Sequence, residues 1–490
     1  YAGAVIESNE TAGDHYTPRE VIKLMVELLF ALDDDALSKS GVVRSIYDPT
    51  AGTGGMLSVA DEYLRTLNPG IQLSLYGQDY NDASYAICKA DMVIKGQDVD
   101  NIALGDTLSE DHFDDKKFDY GLSNPPFGVD WKDQRSYVDD EHAKLGFNGR
   151  FGPGTPAVSD GAMLFLLHLV SKMRKPEDGG SRMAIVLNGS PLFSGGAGGG
   201  ESNLRKWLLD NDLTEASTAL PKDMFYNTGL STYVWVLSNR KVGDRKGRVQ
   251  LIDGREMFTK LPKTLGSKRN ELSPKNIETI VSLYADFEPG EHSKIFHNEN
   301  FLYRTITIER PLRLSWTITP ERIGAVFEAK AIQKLTEDDA VALRATLERL
   351  DTDVVWKTRA EFQRLLKSAA RAEGFALSAP LLKAVTTALG AQDDAADVCM
   401  DTKGNIEPDA SLRDTENVPW DEQIDSFVAR EVLPYAPGAW IDHSKTKEGA
   451  EIPFGRHFYR YVPPRPLAEI DRDLDAVMDQ LRAMLTEVER

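Results

Sequence analysis

One short segment restricts the possible folds of this 490-residue chain more than any other. An apolar run at residues 42–47 is predicted to be a strand, and it leads directly into the sequence DPTAGTGG at residues 48–55. Glycines let the backbone turn sharply and approach a ligand closely, and the N-terminus of a following helix favours negatively charged groups. A strand, a glycine-rich turn and a helix in this order are typical of open α/β sheets that bind ligands at the carboxyl ends of their strands, although a plain tight turn is the alternative.

The first 310 residues alternate between predicted strands and helices, which indicates an α/β fold with a largely parallel sheet. The strand candidates are residues 42–47, 73–77, 102–104, 118–122, 183–187, 215–220, 233–237 and 249–252, with helices at 162–173 and 204–209. A first helix is predicted to begin at Thr17, with the threonine hydroxyl as N-cap, Pro18 in the first turn and Glu20 closing a capping box.

Polar residues follow three successive strands of this predicted sheet. Asp48 follows the first strand, Asp79 the second and Asp106 the third. Because the carboxyl ends of parallel strands meet at one edge of the sheet, these acids are expected to share a binding site there. The second of them stands where a nucleotide ribose would offer its hydroxyl groups.

The fourth strand ends in SNPPFG at residues 123–128, which is the most specific signal in the chain. Asn124 and the carbonyl group of Pro125 supply two hydrogen-bond acceptors in a rigid geometry, and Phe127 places an aromatic face beside them. Such a set suits a planar group that carries an NH₂, for example a base flipped out of a DNA helix. The alternative is a proline-rich turn that follows a strand and has no further role.

Composition limits the classes of function. The chain has 57 Lys and Arg against 77 Asp and Glu, a net charge of −20. Because DNA affinity without sequence preference comes mainly from basic side chains on phosphates, a chain of this charge that acts on DNA is expected to use the positive charge of a partner. The eight histidines include no pair with metal-ligand spacing, and two cysteines build neither a zinc site nor a disulfide framework.

The sequence also predicts the compartment of the protein and whether the chain is complete. No apolar run is long enough to cross a membrane and no secretory leader is recognisable, so we expect a cytoplasmic protein without a membrane partner. The chain begins with Tyr1 rather than methionine, and we expect that an N-terminal part of the natural protein is missing.

The second half of the chain differs in composition and in sequence pattern. Residues 320–389 are rich in Ala, Leu, Glu and Lys and are predicted to be helical, and the acidic stretch 391–431, with 12 acidic and three basic residues, is predicted to be irregular. Apolar residues then recur at alternating steps of three and four, a heptad seam: Leu467, Ile470, Leu474, Val477, Leu481, Met484 and Val488. This helix could dock on its own core, but the regular spacing favours pairing with a helix of a partner.

The motifs at 48–55, Asp79, Asp106 and 124–127, in this order, resemble the motif series of S-adenosylmethionine-dependent amino-methyltransferases that act on DNA. The segment HYTP at 15–18 resembles the subgroup whose series begins with an aromatic-Thr-Pro element. The likeness extends to the modification subunits of type I restriction-modification systems, through residues 11–26, 193–209, 220–237 and 452–461. It covers most of the chain and is weakest at 323–414. It implies a Rossmann-like methyltransferase sheet with helices on both faces, followed by a helical C-terminal region that ends in a long amphipathic helix.

The resemblance implies a role for each matching residue. Those assigned to S-adenosyl-L-methionine are His15, Tyr16, Thr17, Pro18, Arg19, Asp48, Thr50, Gly52, Thr53, Gly54, Gly55, Asp79 and Asp106. Within this set, residues 53–55 would hold the methionine end, Asp79 the ribose hydroxyls and Asp106 the adenine amino group. Those assigned to the target adenine and its chemistry are Asn124, Pro125, Pro126 and Phe127. Two positions depart from the family pattern, since His15 stands where an aromatic residue is common and Asp79 where Glu is usual.

The function implied is methyl transfer to the N6 amino group of adenine in double-stranded DNA, with no metal required. The family also implies partners: a specificity subunit joined through the C-terminal helix, a second modification subunit and a restriction subunit. The implied domains are a short segment at 1–12 that follows a missing helical domain, a catalytic domain at 13–312, a mainly helical and acidic region at 313–440, and an association segment at 441–490. The alternatives are a solitary adenine methyltransferase, a protein-glutamine methyltransferase and a non-catalytic scaffold.

Three further features have competing interpretations. The long segment 129–159 could close over a flipped base or be a solvated surface loop. The glycine-rich segment at 195–200 is interpreted as a flexible connector rather than a ligand-binding turn. His168 lies within an apolar helix and is predicted to be a core histidine without a catalytic role.

Overall fold

The computed structural model describes residues 17–350, 352–461 and 463–488, so the predicted segment at 1–12 and the candidate residues His15 and Tyr16 lie outside the described residues. Numbered along the chain, the strands are β1 Val43–Asp48, β2 Gln72–Asp79, β3 Ile102–Leu104, β4 Tyr120–Ser123, β5 Arg182–Asn188, β6 Thr214–Ala219, β7 Thr232–Ser238, β8 Arg248–Asp253, β9 Thr259–Leu265, β10 Lys268–Glu271, β11 Ser293–His297, β12 Leu302–Glu309, β13 Leu314–Ile318, β14 Thr352–Trp356, β15 Gly390–Gln392, β16 Asp414–Pro419, β17 Trp440–Ile441 and β18 Lys447–Ala450.

The helices, numbered in the same way, are α1 Arg19–Phe30, α2 Asp34–Ser38, α3 Gly55–Leu67, α4 Asp82–Ile94, α5 Arg135–Leu145, α6 Ala162–Ser171, α7 Ser190–Phe193, α8 Gly200–Asp210, α9 Pro274–Asp286, α10 Pro320–Glu328, α11 Glu337–Arg349, α12 Arg359–Ala372, α13 Ala379–Leu389, α14 Ile424–Glu431, α15 Phe454–His457 and α16 Leu467–Val488. These elements form two compact units. The first comprises 1–194, 211–297 and 452–490 as far as they are described, and the second comprises 195–210 and 298–451. The predicted division into functional domains stays a prediction.

The first unit is built on a nine-stranded sheet in the order β11-β8-β6-β7-β5-β4-β1-β2-β3. The pairs β1–β2, β1–β4, β2–β3, β4–β5 and β6–β8 are parallel, whereas β7 is antiparallel to both of its neighbours and β11 is antiparallel to β8. The predicted α/β fold with a mostly parallel sheet is therefore confirmed. The chain moves outward from β1 to β3 and then crosses back to β4, so the strand order reverses between β1 and β4. Open sheets of this kind bind ligands beside such a reversal.

Helices cover both faces of this sheet. Leu122 of β4 belongs to the core cluster that includes Leu24 and Leu28 of α1. The neighbouring Gly121 lies on the other face, where a Cβ atom would come within 2.9 Å of Leu169 in α6. Because successive strand residues point to opposite faces, α1 and α6 lie on opposite sides of the sheet.

The eight predicted strands of this sheet are all present, with ends that differ by at most two residues. The largest differences are two residues, at the end of β2, which reaches Asp79, and at the start of β4, which begins at Tyr120 rather than at residue 118. Phe118 instead forms an isolated parallel bridge with Met173. Since β5 is buried along six of its seven residues, its apolar run is the continuous type expected of a strand covered on both faces.

The first helix begins two residues after the predicted start, and the predicted capping box is wrong. Pro18 occupies the N-cap position of α1, with no side-chain hydrogen bond to the cap. The Thr17 hydroxyl is engaged elsewhere, because it accepts a hydrogen bond from Asn124 Nδ2 at 2.8 Å. Glu20 forms an ion pair with the buried Lys268 instead of closing the cap. Contacts with residues distant in sequence have therefore replaced the local cap that the sequence predicted.

The second unit combines helices with two small sheets. Helices α10 to α13 lie within the predicted helical region 320–389, and the helical prediction for these segments is confirmed. They pack around the fully buried Trp316 of β13, which pairs with β14 and β15. β14 interrupts the predicted helical region, and no apolar alternation in the sequence had indicated it. In the other sheet, β12 pairs with β16, β17 and β18.

The acidic stretch 391–431 is more regular than predicted. It contains β16 and α14. In β16 only Val418 is buried, and the strand is held by its backbone pairing with β12. A strand whose side chains face solvent on both sides leaves no period-two pattern in the sequence, which is why this one was missed.

The predicted heptad segment forms α16, a helix of 22 residues. Its apolar seam is exposed from Leu467 to Met484, with 78% of the Leu467 surface, 59% of Leu474 and 63% of Met484 accessible. Most amphipathic helices bury such a stripe, so the exposed seam favours the second of the two interpretations, a partner helix. Among the described residues, no helix is both long and apolar enough to span a membrane.

Candidate active site

A cavity of about 920 Å³ opens at the carboxyl ends of β1 to β4, on the two sides of the strand reversal. All of its lining residues belong to the first unit. The sequence-predicted residues that line it are Thr17, Arg19, Asp48, Thr50, Gly52, Thr53, Gly55, Asp79, Asp106, Asn124, Pro125, Pro126 and Phe127. Pro18 and Gly54 are not among the lining residues, and they occupy the N-cap positions of α1 and α3.

The glycine-rich turn between β1 and α3 forms the floor of this cavity. Gly52 and Gly54 have φ angles of +54° and +83°, which side chains with a Cβ atom rarely adopt. A Cβ atom on Gly54 would also lie 2.9 Å from Cys88 Sγ. The turn therefore needs glycine at this position for both backbone and space, and it presents the N-terminus of α3 toward the cavity.

Asp48 is fully buried at the start of this turn. Its Oδ1 accepts hydrogen bonds from Thr50 N at 2.9 Å and from Thr50 Oγ1 at 3.2 Å. Its Oδ2 is buried without a hydrogen-bond partner among the described residues. Burial raises the pKa of the Asp48 carboxyl to about 7, although the hydrogen bonds from Thr50 oppose this rise. A buried acceptor that lacks a donor is costly, so this oxygen is suited to a cationic or hydrogen-bonding ligand.

Asp79, at the end of β2, ties the turn to the next strand. Its Oδ2 accepts a hydrogen bond from Gly52 N at 2.8 Å, and its Oδ1 accepts one from Asn81 N at 2.9 Å. The side chain is partly exposed and lines the cavity. Each carboxylate oxygen has a second lone pair, so Asp79 can still accept hydrogen bonds from a ligand.

Asp106 follows β3 and is held from two sides. Its Oδ1 accepts from Leu108 N at 2.9 Å, and its Oδ2 accepts from Gln134 Nε2 at 2.6 Å. The next residue fastens this segment to the end of β1, because Thr107 Oγ1 donates to Pro49 O at 2.6 Å. The three predicted acids thus occupy one edge of the sheet, as the sequence indicated.

Gln134 belongs to the long segment 129–159, which is partly helical and partly packed against the cavity. Trp131 is 2% exposed, and its Nε1 donates to Ala157 O at 3.0 Å. Residues 135–145 form α5, and Gln134 at its start reaches Asp106. These contacts hold part of the segment against the cavity wall, where Val129, Asp130 and Asp133 also lie, while about half of its residues are exposed, so closure over a flipped base stays a prediction.

Arg150 anchors this segment beneath the cavity. Its Nη1 donates to Thr107 O at 2.7 Å, its Nη2 donates to Leu108 O at 2.9 Å, and its Nη2 lies 2.7 Å from Glu141 Oε2. Both members of the ion pair are mostly buried, with 13% and 17% of their side-chain surfaces exposed. The guanidinium therefore binds the two carbonyl groups that follow Asp106. Gln134 and Arg150 were not predicted as site residues, since no local motif marks them.

His168 of α6 continues this network into the core. It is fully buried, its Nδ1 accepts from Arg150 Nη1 at 3.2 Å, and its Nε2 lies 2.9 Å from the Tyr47 hydroxyl. Burial holds the pKa of His168 well below its usual range, so the ring is neutral. The prediction of a core histidine is confirmed.

Asn124 stands at the end of β4 with its amide fixed in one orientation. Nδ2 donates to Thr17 Oγ1 at 2.8 Å, whereas Oδ1 is buried and has no hydrogen-bond partner in the described part of the chain. With Nδ2 on the Thr17 hydroxyl, Oδ1 is the end of the amide that lacks a hydrogen-bond partner among the described residues. Asn124 therefore offers an acceptor to a ligand in the cavity.

Aromatic rings form the wall next to Asn124. The rings of Phe127 and Phe225 meet edge to face, with centroids 5.9 Å apart. Phe225 is buried, Phe127 is partly exposed, and both line the cavity together with Asn227. Phe225 was not assigned a role from the sequence, although it lies in the segment 220–237 that carries part of the family resemblance.

The described residues contain no group of three or more His, Cys, Asp or Glu side chains that could hold a metal ion. The chemistry of the cavity is that of buried acceptors: two unpartnered oxygens, on Asp48 and Asn124, and carboxylates at three strand ends. Such a site can bind a cationic ligand with hydroxyl and amino groups, and it can accept hydrogen bonds from a second, planar group.

Comparisons with known proteins agree with this reading of the site. Residues 4–309 match the family model described as N-6 DNA Methylase. The type I restriction enzyme MjaIX methylase subunit of Methanocaldococcus jannaschii is 31% identical over 324 residues, which cover 65% of this chain and 53% of that protein. The HindI methylase subunit of Haemophilus influenzae is 25% identical over 342 residues, covering 69% of this chain and 68% of that protein.

Among solved structures, a type I restriction-modification methyltransferase subunit from Streptococcus thermophilus is similar, with 29% identity, a TM-score of 0.48, and coverage of 58% of this chain and 55% of that one. The chain spans about half the length of the M. jannaschii relatives it matches. The family match itself covers more than half of the chain and includes the whole cavity. The chain belongs to the N-6 DNA methylase family.

Proposed function

We propose that this chain transfers the methyl group of S-adenosyl-L-methionine to the N6 amino group of adenine in double-stranded DNA, as the modification subunit of a type I restriction-modification complex. The observation that carries the proposal is the Asn124 amide. Its nitrogen is held by Thr17, and its oxygen is buried and unpartnered among the described residues, on the wall of a large cavity. An amide held in this way is prepared to accept a hydrogen bond from an NH₂ group.

The residues of the cavity fit the cofactor. Its volume of about 920 Å³ is in the upper range of small-molecule sites, which leaves room for a flipped base beside the cofactor. The unpartnered Asp48 Oδ2 favours a positively charged ligand, and the N-terminus of α3 favours the carboxylate at the methionine end. Asp79 would accept from the ribose hydroxyls and Asp106 from the adenine amino group. Bound here, the cofactor supplies an electrophilic methyl group on a sulfonium.

The chain's own part in the chemistry lies at residues 124–127. The Asn124 Oδ1 and the Pro125 carbonyl group would accept the two hydrogens of the target amino group. The nitrogen lone pair is delocalised into the adenine ring, and these two acceptors favour a tetrahedral nitrogen with a localised lone pair. They also stabilise positive charge as it grows on that nitrogen, without any movement at the moment of reaction.

Aromatic stacking would keep the base outside the helix. Phe127 offers a partly exposed ring at the cavity wall, and the buried Phe225 braces it edge to face. Stacking on such a face offsets part of the few kcal/mol that base unstacking costs. Pro126, exposed between Pro125 and Phe127, keeps the backbone of this segment rigid.

The assembly proposed around the chain rests on charge and on α16. A net charge of −20 makes this chain a weak DNA binder by itself, so a separate specificity subunit would supply sequence recognition. The exposed seam of α16 would join that subunit. The wider complex would contain a second modification subunit and a restriction subunit, as the family resemblance implies.

A truncation tests the role of α16. A chain that ends at Pro466 loses a helix whose apolar seam is exposed, so its thermal unfolding should shift by less than about 2 °C, while its co-purification with the specificity subunit should be lost. A milder truncation that ends at Leu485 serves as the control, because it keeps the seam residues up to Met484. Continued co-purification of the Pro466 truncation would contradict the pairing.

The experiment that tests the activity uses the tagged chain, purified both alone and with its native partners. Each preparation receives labelled S-adenosylmethionine and unmodified DNA, and the products are digested to nucleosides. The expected label is in N6-methyladenine and depends on the co-purified partner. Label from the isolated chain would favour a solitary enzyme. No labelled nucleoside from either preparation, with cofactor binding intact, would contradict DNA methylation and favour a protein acceptor.

A further inference from the structure

A basic β-hairpin stands beside the active-site cavity in this acidic chain. Strands β9 and β10 form an isolated two-stranded antiparallel ribbon, residues 259–271. It contains four basic residues and one acidic residue, whereas the chain as a whole carries −20. Six of the seven residues of β9 are exposed. A ribbon with so little buried surface is not explained by packing.

The exposed cations of this ribbon and its surroundings have no acidic partner in the part of the chain that the structure describes. Lys260, Lys263 and Arg269 on the ribbon are exposed, as are Lys222 and Lys275 beside it. The described residues form 32 ion pairs, yet none of these pairs involves any of the five side chains. We call these five residues the basic cluster.

Lys268, the fourth basic residue of the ribbon, fastens it to the protein. It is 3% exposed, pairs with Glu20 of α1, and donates to Met224 O at 3.0 Å. A β-bulge separates Lys268 from Asn270 in the pairing with β9. Bulges redirect side chains, and this one leaves Lys268 buried while the adjacent Arg269 is exposed.

Backbone contacts hold the ribbon directly against the wall of the cavity. Ser267 N donates to Tyr226 O at 2.8 Å, and Arg269 N donates to Asp223 O at 2.9 Å. Gly266, with a φ of +59°, lies so close that a Cβ atom would be 2.5 Å from Tyr226 O. Tyr226 stands between Phe225 and Asn227, which both line the cavity. The ribbon is thus one residue away from the aromatic wall proposed to receive the target base.

The topology places the basic cluster at the same edge of the sheet as the cavity. The ribbon follows the carboxyl end of β8, and β8 is parallel to β6, which runs in the same direction as β1 to β5. The cavity lies at the carboxyl ends of β1 to β4, so both features share one edge.

We propose that the basic cluster binds the phosphate backbone of DNA beside the flipped base. This inference rests on the proposed function and adds to it the place where the duplex meets the chain. Unpaired Lys and Arg side chains on an exposed ribbon are the chemistry that phosphates recognise, since phosphate contacts position a protein on DNA without reading its sequence. A peptide partner would need apolar surface, and β9 offers only Leu261, Pro262 and Leu265.

The test compares two triple variants of the full chain, each purified with its native partners. The first, K260Q/K263Q/R269Q, removes three charges of the basic cluster and keeps Lys268. The second, K116Q/K175Q/K246Q, removes three exposed charges at the opposite edge of the sheet, before β4, β5 and β8. The affinity for an unmodified DNA duplex is measured over a range of salt concentrations, together with the KM for DNA and the cofactor affinity without DNA.

The two variants should separate clearly. Each phosphate contact contributes about 0.9 to the slope of log affinity against log salt, so the first variant should lose up to about 2.7 of that slope and about tenfold or more in affinity at low salt. The KM for DNA should rise, and the cofactor affinity should stay at the wild-type value. A K260R/K263R variant, which keeps the charge, should retain the wild-type slope.

The outcomes distinguish this inference from the proposed function. Equal salt slopes for the first variant and the control variant, in a wild-type complex that methylates DNA, would overturn the basic cluster as a DNA contact. A wild-type complex that methylates no DNA would overturn the proposed function itself, and the cluster with it. A parallel loss of cofactor affinity in the first variant would show disturbance of the cavity wall and would also contradict the inference.

Discussion

Two regions of the first unit border the same cavity and use their basic residues in opposite ways. The segment 129–159 has four basic residues and five acidic residues, and the ribbon 259–271 has four and one. In the segment every cation is paired: Lys132 with Asp130, Arg135 with Asp139, Lys144 with Asp140 and Arg150 with Glu141. In the ribbon only the buried Lys268 pairs with an acid of the described residues.

The difference assigns distinct roles to the basic residues on the two walls of the cavity. The paired cations of 129–159 stabilise a structure, and through Arg150 and Gln134 that structure holds Asp106 on the side proposed to bind the cofactor. The unpaired cations of the ribbon remain available on the side of Phe127 and Phe225, where a base would enter. Basic residues near an active site are therefore evidence for a nucleic acid only when their partners have been accounted for.

The largest effect is expected at the boundary between the two walls. Asn124→Ala removes the unpartnered acceptor of the base side and leaves the three acids of the cofactor side unchanged. Methyl transfer should fall by about 10³-fold or more, a loss of the size that follows removal of a preorganised electrostatic group. Cofactor affinity, measured by calorimetry, should remain within about twofold of the wild type. Equal loss of both would contradict the assignment of Asn124 to the base.

The anchor of the cofactor wall should be the next most sensitive position. Arg150→Met removes the guanidinium that donates to the carbonyl groups of Thr107 and Leu108 and pairs with Glu141 in a mostly buried site, and it leaves Glu141 only the donor of the residue 150 backbone. The free energy of unfolding should fall by about 3 kcal/mol, and cofactor affinity should fall with it because Asp106 loses its support. Arg135→Met is the matched control, since its pair with Asp139 is exposed and worth about 0.5 kcal/mol or less. Similar losses in the two variants, measured by urea unfolding, would remove the distinction between anchored and exposed pairs.

A smaller effect, with a defined pH dependence, is expected at Asp48. Burial raises its pKa from 3.8 to about 7 in the folded protein, so the folded state disfavours the ionised form. The contribution of the Asp48 carboxyl to the free energy of unfolding is fully present below pH 4 and is lost as the pH rises toward 7. Without cofactor, Asp48→Asn should therefore raise the free energy of unfolding at pH 8 by roughly 1–3 kcal/mol, because the neutral amide removes the cost of a buried charge.

The same variant should bind the cofactor more weakly. The negative charge of Asp48 lowers the stability of the protein without cofactor, but the same charge favours a cationic ligand. The gain in stability should disappear below pH 4, where the wild-type carboxyl is protonated in both states. Thermal unfolding between pH 4 and pH 8 measures the first effect and calorimetry the second. A constant difference in stability across this range would show that the Asp48 carboxyl does not titrate there.

The sheet and most of the cavity could be predicted because the signals are local. Most strands before residue 253 contain short apolar runs bounded by polar or glycine residues, and the acids at 48, 79 and 106 lie at or within two residues of the strand ends. Parallel strands then bring their carboxyl ends together without further information. The same logic placed Asn124 and Phe127 on the cavity wall.

The unpredicted residues are those whose roles depend on distant partners. Arg150 and Gln134 act on Asp106 across about 30 to 40 residues of chain, and nothing near them in the sequence indicates this. The sequence analysis singled out the segment 129–159, whose cations are paired, and not the ribbon, whose exposed cations are not. Beyond residue 312, β14 and β16 were missed because their side chains lack an alternating apolar pattern.

Thr17 gives the smallest and most specific prediction. The sequence indicated an N-cap, but the hydroxyl accepts a hydrogen bond from Asn124 Nδ2 instead. Thr17→Val keeps the shape and removes the acceptor, so the amide can turn its nitrogen toward the base. kcat should fall about tenfold, a factor that corresponds to the usual free energy of one hydrogen bond. Stability should change little, because no cap is lost. Thr17→Ser, which retains the hydroxyl, should restore most of the rate. If valine and serine lowered kcat equally, the effect would come from packing, and the base-side wall would not depend on the orientation of Asn124.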